Sequence, residues 1–178
     1  IGLAIFALAS CNPSASEAPS YDDLRTCTPE NGSLHPDELA TFAGCERLDG
    51  SITLRDGFPD RSNLNSVVVI TGNVGGGGYV GAPLTLEGFD SLEVIEGHLS
   101  FLEDNLLGYS GVPKLSSVGF FRAETVPELQ DFRGLENLRE VHGGIRVTFN
   151  AKLSSLAGLE GLEHVHGDVT IRDNPALP

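Results

Sequence analysis

One pattern of leucine, glycine and apolar residues recurs four times in this chain, and no other feature limits the fold as much. The copies are Leu86-x-Gly88-Phe89-x-x-Leu92-x-x-Ile95, Tyr109-x-Gly111-Val112-x-x-Leu115-x-x-Val118, Phe132-x-Gly134-Leu135-x-x-Leu138-x-x-Val141 and Leu156-x-Gly158-Leu159-x-x-Leu162-x-x-Val165. The central leucines Leu92, Leu115, Leu138 and Leu162 stand 23, 23 and 24 residues apart. A unit of that size cannot bury its own apolar side, so successive copies must stack as a solenoid. Three copies run on into Gly97-His98-Leu99-Ser100-Phe101, Gly143-Gly144-Ile145-Arg146-Val147 and Gly167-Asp168-Val169-Thr170-Ile171. Apolar residues at every second position put one strand face in a core and the other in solvent. The expected fold is mainly β: a right-handed parallel β-solenoid, leucine-rich-repeat-like, with about 23 residues per turn. Parallel strands about 4.8 Å apart would make about six such turns a rod roughly 25–30 Å long.

The irregular copies are as informative. Val118-Gly119-Phe120-Phe121-Arg122 has its glycine one place early, which leaves the register of that strand open. A degenerate copy, Cys45-x-x-Leu48-x-Gly50-Ser51-Ile52-Thr53-Leu54, puts cysteine where the others have leucine. Val67 to Val74 supplies a further turn, and Gly75–Gly78 with Tyr79 reads as a flexible loop inserted there. Those glycines are not a phosphate-binding loop, because no Gly-Lys-Ser/Thr follows them. Asn105, Asn150 and Asn174 follow the strands by seven or eight residues. They read as corner residues whose amides satisfy turn backbone in a ladder from coil to coil, interrupted at Val126-Pro127.

The first ten residues, Ile-Gly-Leu-Ala-Ile-Phe-Ala-Leu-Ala-Ser, precede Cys11. The run is too short to span a bilayer as a helix, but it suits the end of a signal-peptide apolar region. Leu8-Ala9-Ser10-Cys11 resembles the bacterial lipobox, which implies lipid on Cys11. Residues 11–26 then read as a lipidated tether, small and polar with prolines. Export would place the chain in an oxidising compartment. Cys27 and Cys45, 18 apart in sequence, then form a disulfide by default, with two buried thiols as the alternative. A zinc site there lacks the paired ligand spacing. Eleven basic against 25 acidic residues give a net charge of −14, which disfavours nucleic acid and anionic membrane surfaces as partners. Membrane contact is expected only through the lipid. Asn31-Gly32-Ser33 fits a glycosylation sequon but is silent in a bacterial setting.

From Cys27 onward the chain resembles the receptor L-domain family, the leucine-rich β-solenoid of the insulin and epidermal growth factor receptors. The residues that carry the resemblance are Cys27, a short acidic-start helix over His35-Pro36-Asp37-Glu38-Leu39-Ala40-Thr41-Phe42, Cys45, the strand Leu48-Asp49-Gly50-Ser51-Ile52-Thr53-Leu54, and the later leucine repeats. The resemblance covers roughly residues 27–178 and implies partner binding through solenoid surfaces. It carries over no ligand residue by motif, and the lipobox makes this a bacterial member. The chain closes on Asn174-Pro175-Ala176-Leu177-Pro178 with no polar cap visible for the last coil. Truncation, or a continuation that covers this end, is the expectation.

In repeat register, Ser51, Thr53, His98, Ser100, Arg146, Thr148, Asp168, Thr170 and Arg172 should form one polar outward face, a platform for a partner or a merely solvated surface. His142 and His166 hold equivalent places one turn apart, each in Val-His-Gly, with Glu96 in the same place earlier and His164 close by. Such a pair suits a divalent metal or a pH-sensitive spot, but recurrence within duplicated repeats also accounts for it, so neither metal nor cofactor is assigned. The sum is a lipid-anchored binding module of the bacterial cell envelope, at the outer membrane or cell surface, which recognises a protein or glycan. The alternatives are an envelope element associating end to end, and a β-helix enzyme acting on polysaccharide. The enzyme is disfavoured, since the platform shows scattered Ser, Thr and Arg with a single Asp rather than clustered carboxylates.

Overall fold

The computed structural model describes residues 20–54, 60–76 and 83–178. Among the described residues the strands are, in chain order, β1 (Thr26–Cys27), β2 (Ser33–Leu34), β3 (Arg47–Leu48), β4 (Ser51–Leu54), β5 (Val69–Ile70), β6 (Val74–Gly76), β7 (Val94–Leu102), β8 (Ser117–Glu124), β9 (Glu140–Val141), β10 (Ile145–Thr148), β11 (His164–Val165) and β12 (Val169–Arg172). Every pairing is parallel. The pairings form two runs, β1-β3-β5-β7-β8-β9-β11 and β2-β4-β6-β7-β8-β10-β12, joined where β7 and β8 continue through both. The result is a β-solenoid of about six turns with about 23 residues in each.

The repeat leucines explain this regularity. In each copy the leucine N–H donates to the carbonyl three residues back: Leu92 to Phe89 at 3.0 Å, Leu115 to Val112 at 3.1 Å, Leu138 to Leu135 at 2.9 Å and Leu162 to Leu159 at 3.1 Å. The next residue bonds to the preceding coil, as Glu93 to Val68 O, Ser116 to Glu93 O, Arg139 to Ser116 O and Glu163 to Arg139 O. Each leucine lies two residues before the matched set Val94, Ser117, Glu140 and His164, so the four fall in one column. Leu92, Leu115 and Leu138 are fully buried and Leu162 packs against the same core. Close coil-to-coil approach needs the repeat glycine. Gly134 (φ 105°) and Gly158 (φ 103°) hold a left-handed conformation against the Tyr109 and Phe132 carbonyls of the preceding coil, where a Cβ would collide with backbone.

The early glycine of the second copy, Gly119, is resolved by coil length. Ile95 pairs with Val118 and His98 with Phe120, so β7 carries one residue more than β8 at this corner. Gly119 therefore sits in a shorter corner, and Phe120 and Arg122 rejoin the outward register. The glycine run is only partly as expected. Gly75 and Gly76 are strand residues of β6, not loop. A side chain on Gly76 would strike the Asp104 carboxylate, and one on Gly75 the Ser100 carbonyl, so glycine is needed for strand packing. Residues 77–82 lie outside the described residues, as does Cys11 with the apolar run before it.

Cys27 and Cys45 sit at disulfide distance with Cα atoms 5.9 Å apart. Between them a 3₁₀ helix, Pro36–Phe42, lays Leu39 and Phe42 into the core at the first coil. Glu38 ties it down by accepting from His35 N–H at 2.9 Å and Glu30 N–H at 3.0 Å. These bonds, the Glu30 one foremost, hold the Glu38 carboxyl below its ordinary pKa. In the last described coil Val169 is 56 % exposed, Ile171 39 % and Leu156 39 %.

At the corners, Glu103, Thr125, Phe149 and Asp173 all adopt φ between 54° and 60°. Each precedes one position of an internal ladder. Val126 N–H donates to Asn150 Oδ1 at 2.9 Å, Asn150 Nδ2 donates to Ala123 O at 3.0 Å and to Asn174 Oδ1 at 3.1 Å, and Asn174 Nδ2 donates to Val147 O at 3.0 Å. The ladder stops at Val126, as its sequence implies. The first rung differs from expectation: buried Asp104, not Asn105, holds the equivalent position and accepts from Leu102 N–H at 3.0 Å.

Candidate functional site

Two outward columns run along the β4-β6-β7-β8-β10-β12 face. The first is Thr53, Gly75, Ser100, Arg122, Arg146 and Thr170, set by direct strand pairing. The second, two residues earlier on each strand, holds Ser51, Asn73, His98, Phe120, Gly144 and Asp168. Eight of the nine residues placed outward from sequence lie at this surface. The exception is Thr148, which is buried at 1 % exposure. Thr148 pairs between Glu124 and Arg172 of the coils beside it, so its short side chain lies between two longer ones. Arg172, in that same row, stays exposed. Its guanidinium lies 5.3 Å from the Phe149 ring centroid and bonds Asp173 at 2.9 Å.

The missing side chain of Gly75 has a local consequence. Ser51, Thr53, Asn73, His98 and Ser100 surround a shallow polar hollow floored by Gly75 and Gly76. Its rim is cross-linked between coils: Asn73 N–H donates to Ser51 Oγ at 3.0 Å, and His98 N–H donates to Asn73 Oδ1 at 2.8 Å. Beside it the His98 and Phe120 rings lie 5.3 Å apart with an interplanar angle of 41°. Arg122 is held by Glu124 through bonds of 2.7 and 3.0 Å, whereas Arg146 has no ion-pair or hydrogen-bond partner among the described residues. Asn73, Phe120 and Arg122 were not recognised from sequence. The short corner at Gly119 hid the last two, and only its spacing signals them.

The β1-β3-β5-β7-β8-β9-β11 face carries the histidines. His164 pairs with Glu140, so the following outward places bring His142 and His166 together. Their rings stack at 5.7 Å with 16° between planes, and His164 lies 6.4 Å from His166. Glu140 Oε1 is 2.8 Å from His166 Nε2 and 3.6 Å from His142 Nδ1. The His166 hydrogen bond, aided by the nearby histidine charges, draws the Glu140 carboxyl below its ordinary pKa. Elsewhere on this face Arg47 pairs with Glu96 at 3.0 Å and Thr71 Oγ1 donates to Asp49 at 2.9 Å. No helix among the described residues is long and apolar enough to cross a membrane.

The described fold defines a class, the parallel β-solenoid with two polar outward faces. No protein-family model matches the chain, and no curated protein matches it.

Proposed function

We propose that this protein is a lipid-anchored binding module of the bacterial cell envelope, not an enzyme, which recognises a protein or glycan partner through the face carrying the Gly75 hollow. The observation that carries this reading is the hollow itself: hydroxyl, amide and imidazole groups converge around a cleft in the sheet, with Phe120 beside His98 and with Arg146 two coils beyond Ser100 on the same face. Such groups match sugar hydroxyls or peptide amides, and a preformed surface pays little ordering entropy on binding. The likeness to receptor L domains supports the same reading, and the Leu8-Ala9-Ser10-Cys11 run supports a lipid anchor at the outer membrane or cell surface.

The test is capture from envelope extract and from a glycan panel by the intact chain. A specific partner should bind at least about tenfold more weakly to His98→Ala and to Arg146→Glu, as removal of central contacts does. Equal binding by wild type and both variants removes this face from the proposal. Cys11→Ser should release the protein from the membrane fraction, and unchanged membrane association refutes the anchor.

End-to-end association is a second reading, favoured by the apolar end. Leu156, Val169 and Ile171 open beside Leu159, Leu162 and Val165, and β12 pairs on one side only among the described residues. Sedimentation velocity should then show concentration-dependent oligomers that Val169→Lys abolishes. A monomer at all concentrations excludes it.

A further inference from the structure

We propose that Glu140, His142 and His166 form a binding site for a divalent transition-metal ion, with zinc(II) the best match, on the solenoid face that does not carry the Gly75 hollow. One ligand atom from each residue lies within 4.8 Å of the others. Two imidazoles and one carboxylate are a donor set for zinc, copper or nickel rather than for calcium or magnesium.

The backbone makes the grouping. Parallel pairing locks His164 beside Glu140 and Val165 beside Val141, so His142 and His166 emerge from adjacent strands at matching places. Glu140 comes from the neighbouring outward position of the His142 strand and reaches both rings. A support for one ligand is already in place: Ser117 Oγ lies 3.0 Å from His142 Nε2, which leaves Nδ1 turned toward Glu140. A metal-binding histidine is usually oriented by such a hydrogen bond to its other nitrogen. Zinc–ligand bonds of about 2.0–2.1 Å require donors roughly 3.3 Å apart in a tetrahedron, so the 3.6 Å between His142 and Glu140 must close slightly and the 2.8 Å between His166 and Glu140 must open. The two histidine side chains are 57 % and 54 % exposed and free to do so. The guanidinium of Arg139, the residue before Glu140, is occupied by Glu136 O, Gly161 O and the Glu163 carboxylate, and the net charge of −14 favours a cation. Three protein ligands leave a fourth position open to solvent, where water, His164 or a partner's donor can bind.

Isothermal titration of the full chain with zinc chloride tests this, with Cys11→Ser in every sample to remove a competing thiol. One equivalent should bind. His142→Ala, His166→Ala and Glu140→Gln should each weaken it by at least about tenfold, and Ser117→Ala by about tenfold or less. His35→Ala, remote from the cluster, should leave the affinity unchanged. In ¹⁵N spectra of the Cys11→Ser protein with its ligands unmutated, zinc should shift the ring nitrogens of His142 and His166, and cobalt(II) should give visible d–d bands that Glu140→Gln alters. Wild type binding no more tightly than the His142→Ala/His166→Ala double variant, or zinc leaving both sets of ring nitrogens unmoved, overturns the proposal. The ring spectra use unmutated ligands, so a variant that fails to fold does not blunt the test.

Discussion

Replacing Asn150 by leucine tests the internal ladder directly. Asn150 is fully buried, and its side chain makes three hydrogen bonds that no other group can replace. Leucine has nearly the same shape, so the perturbation is chemical rather than volumetric. It orphans the Val126 N–H inside the solenoid, at about 1–3 kcal/mol, and deletes the bonds to Ala123 O and Asn174 Oδ1 at about 0.5–1.5 kcal/mol each. The expected loss is therefore about 2–6 kcal/mol, a large part of the stability of a domain. Asn174→Leu is the companion test. Its side chain also makes three bonds, accepting from Asn150 N–H at 2.9 Å and from Asn150 Nδ2 at 3.1 Å and donating to Val147 O at 3.0 Å, at 8 % exposure against 0 % for Asn150. Its cost should be of the same order and no larger. Urea unfolding followed by far-ultraviolet circular dichroism measures both, and an unchanged slope shows that stability rather than compactness has moved. A loss below about 0.5 kcal/mol for Asn150→Leu, the size of an ordinary surface change, would refute the ladder as a stabilising element. So would a larger loss at Asn174 than at Asn150.

Three further outcomes follow from individual contacts. The Tyr109 hydroxyl is buried with no hydrogen-bond partner among Phe101, Phe121 and Phe132, and burial pushes its pKa well above the ordinary range. Tyr109→Phe should therefore raise stability by about 1 kcal/mol in the same urea assay, and a loss would mean that the hydroxyl has a partner. Reducing Cys27–Cys45, or replacing both by serine, should cost about 3 kcal/mol, read as a lower midpoint in reductant; an unchanged midpoint would deny the bridge a role. Glu140 is held below its ordinary pKa, so its contribution to stability is complete above the unfolded-state carboxylate pKa and lost as pH falls through the lowered folded value. Carbon-detected titration of Glu140 should show that lowered midpoint in wild type and a rise toward the ordinary value in His166→Ala; identical midpoints in the two proteins refute the hydrogen bond as its cause.

Stacking identical units makes some properties local and others collective. The period, the buried leucine column, the strand faces and the cysteine pair were legible because each coil repeats the same local demand at the same place. Asn150 and Asn174 were legible for the same reason. Where coils differ in length, local pattern stops predicting neighbours. The shorter corner at Gly119 concealed Phe120 and Arg122, and a shift of one place at the first rung exchanged Asn105 for Asp104. Thr148 obeys the strand alternation in sequence yet is buried, because it pairs between the longer Glu124 and Arg172 of the adjacent coils. The sequence alone thus determined that this chain coils, where its core lies and which residues alternate outward. Only the tertiary structure decided which outward groups touch, such as Glu140 with His142 and His166, or Ser51 and Asn73 around the Gly75 hollow. The physical reason is that alternation sets a side chain's direction, whereas its neighbour is set by the register between coils, and that register changes whenever one corner gains or loses a residue.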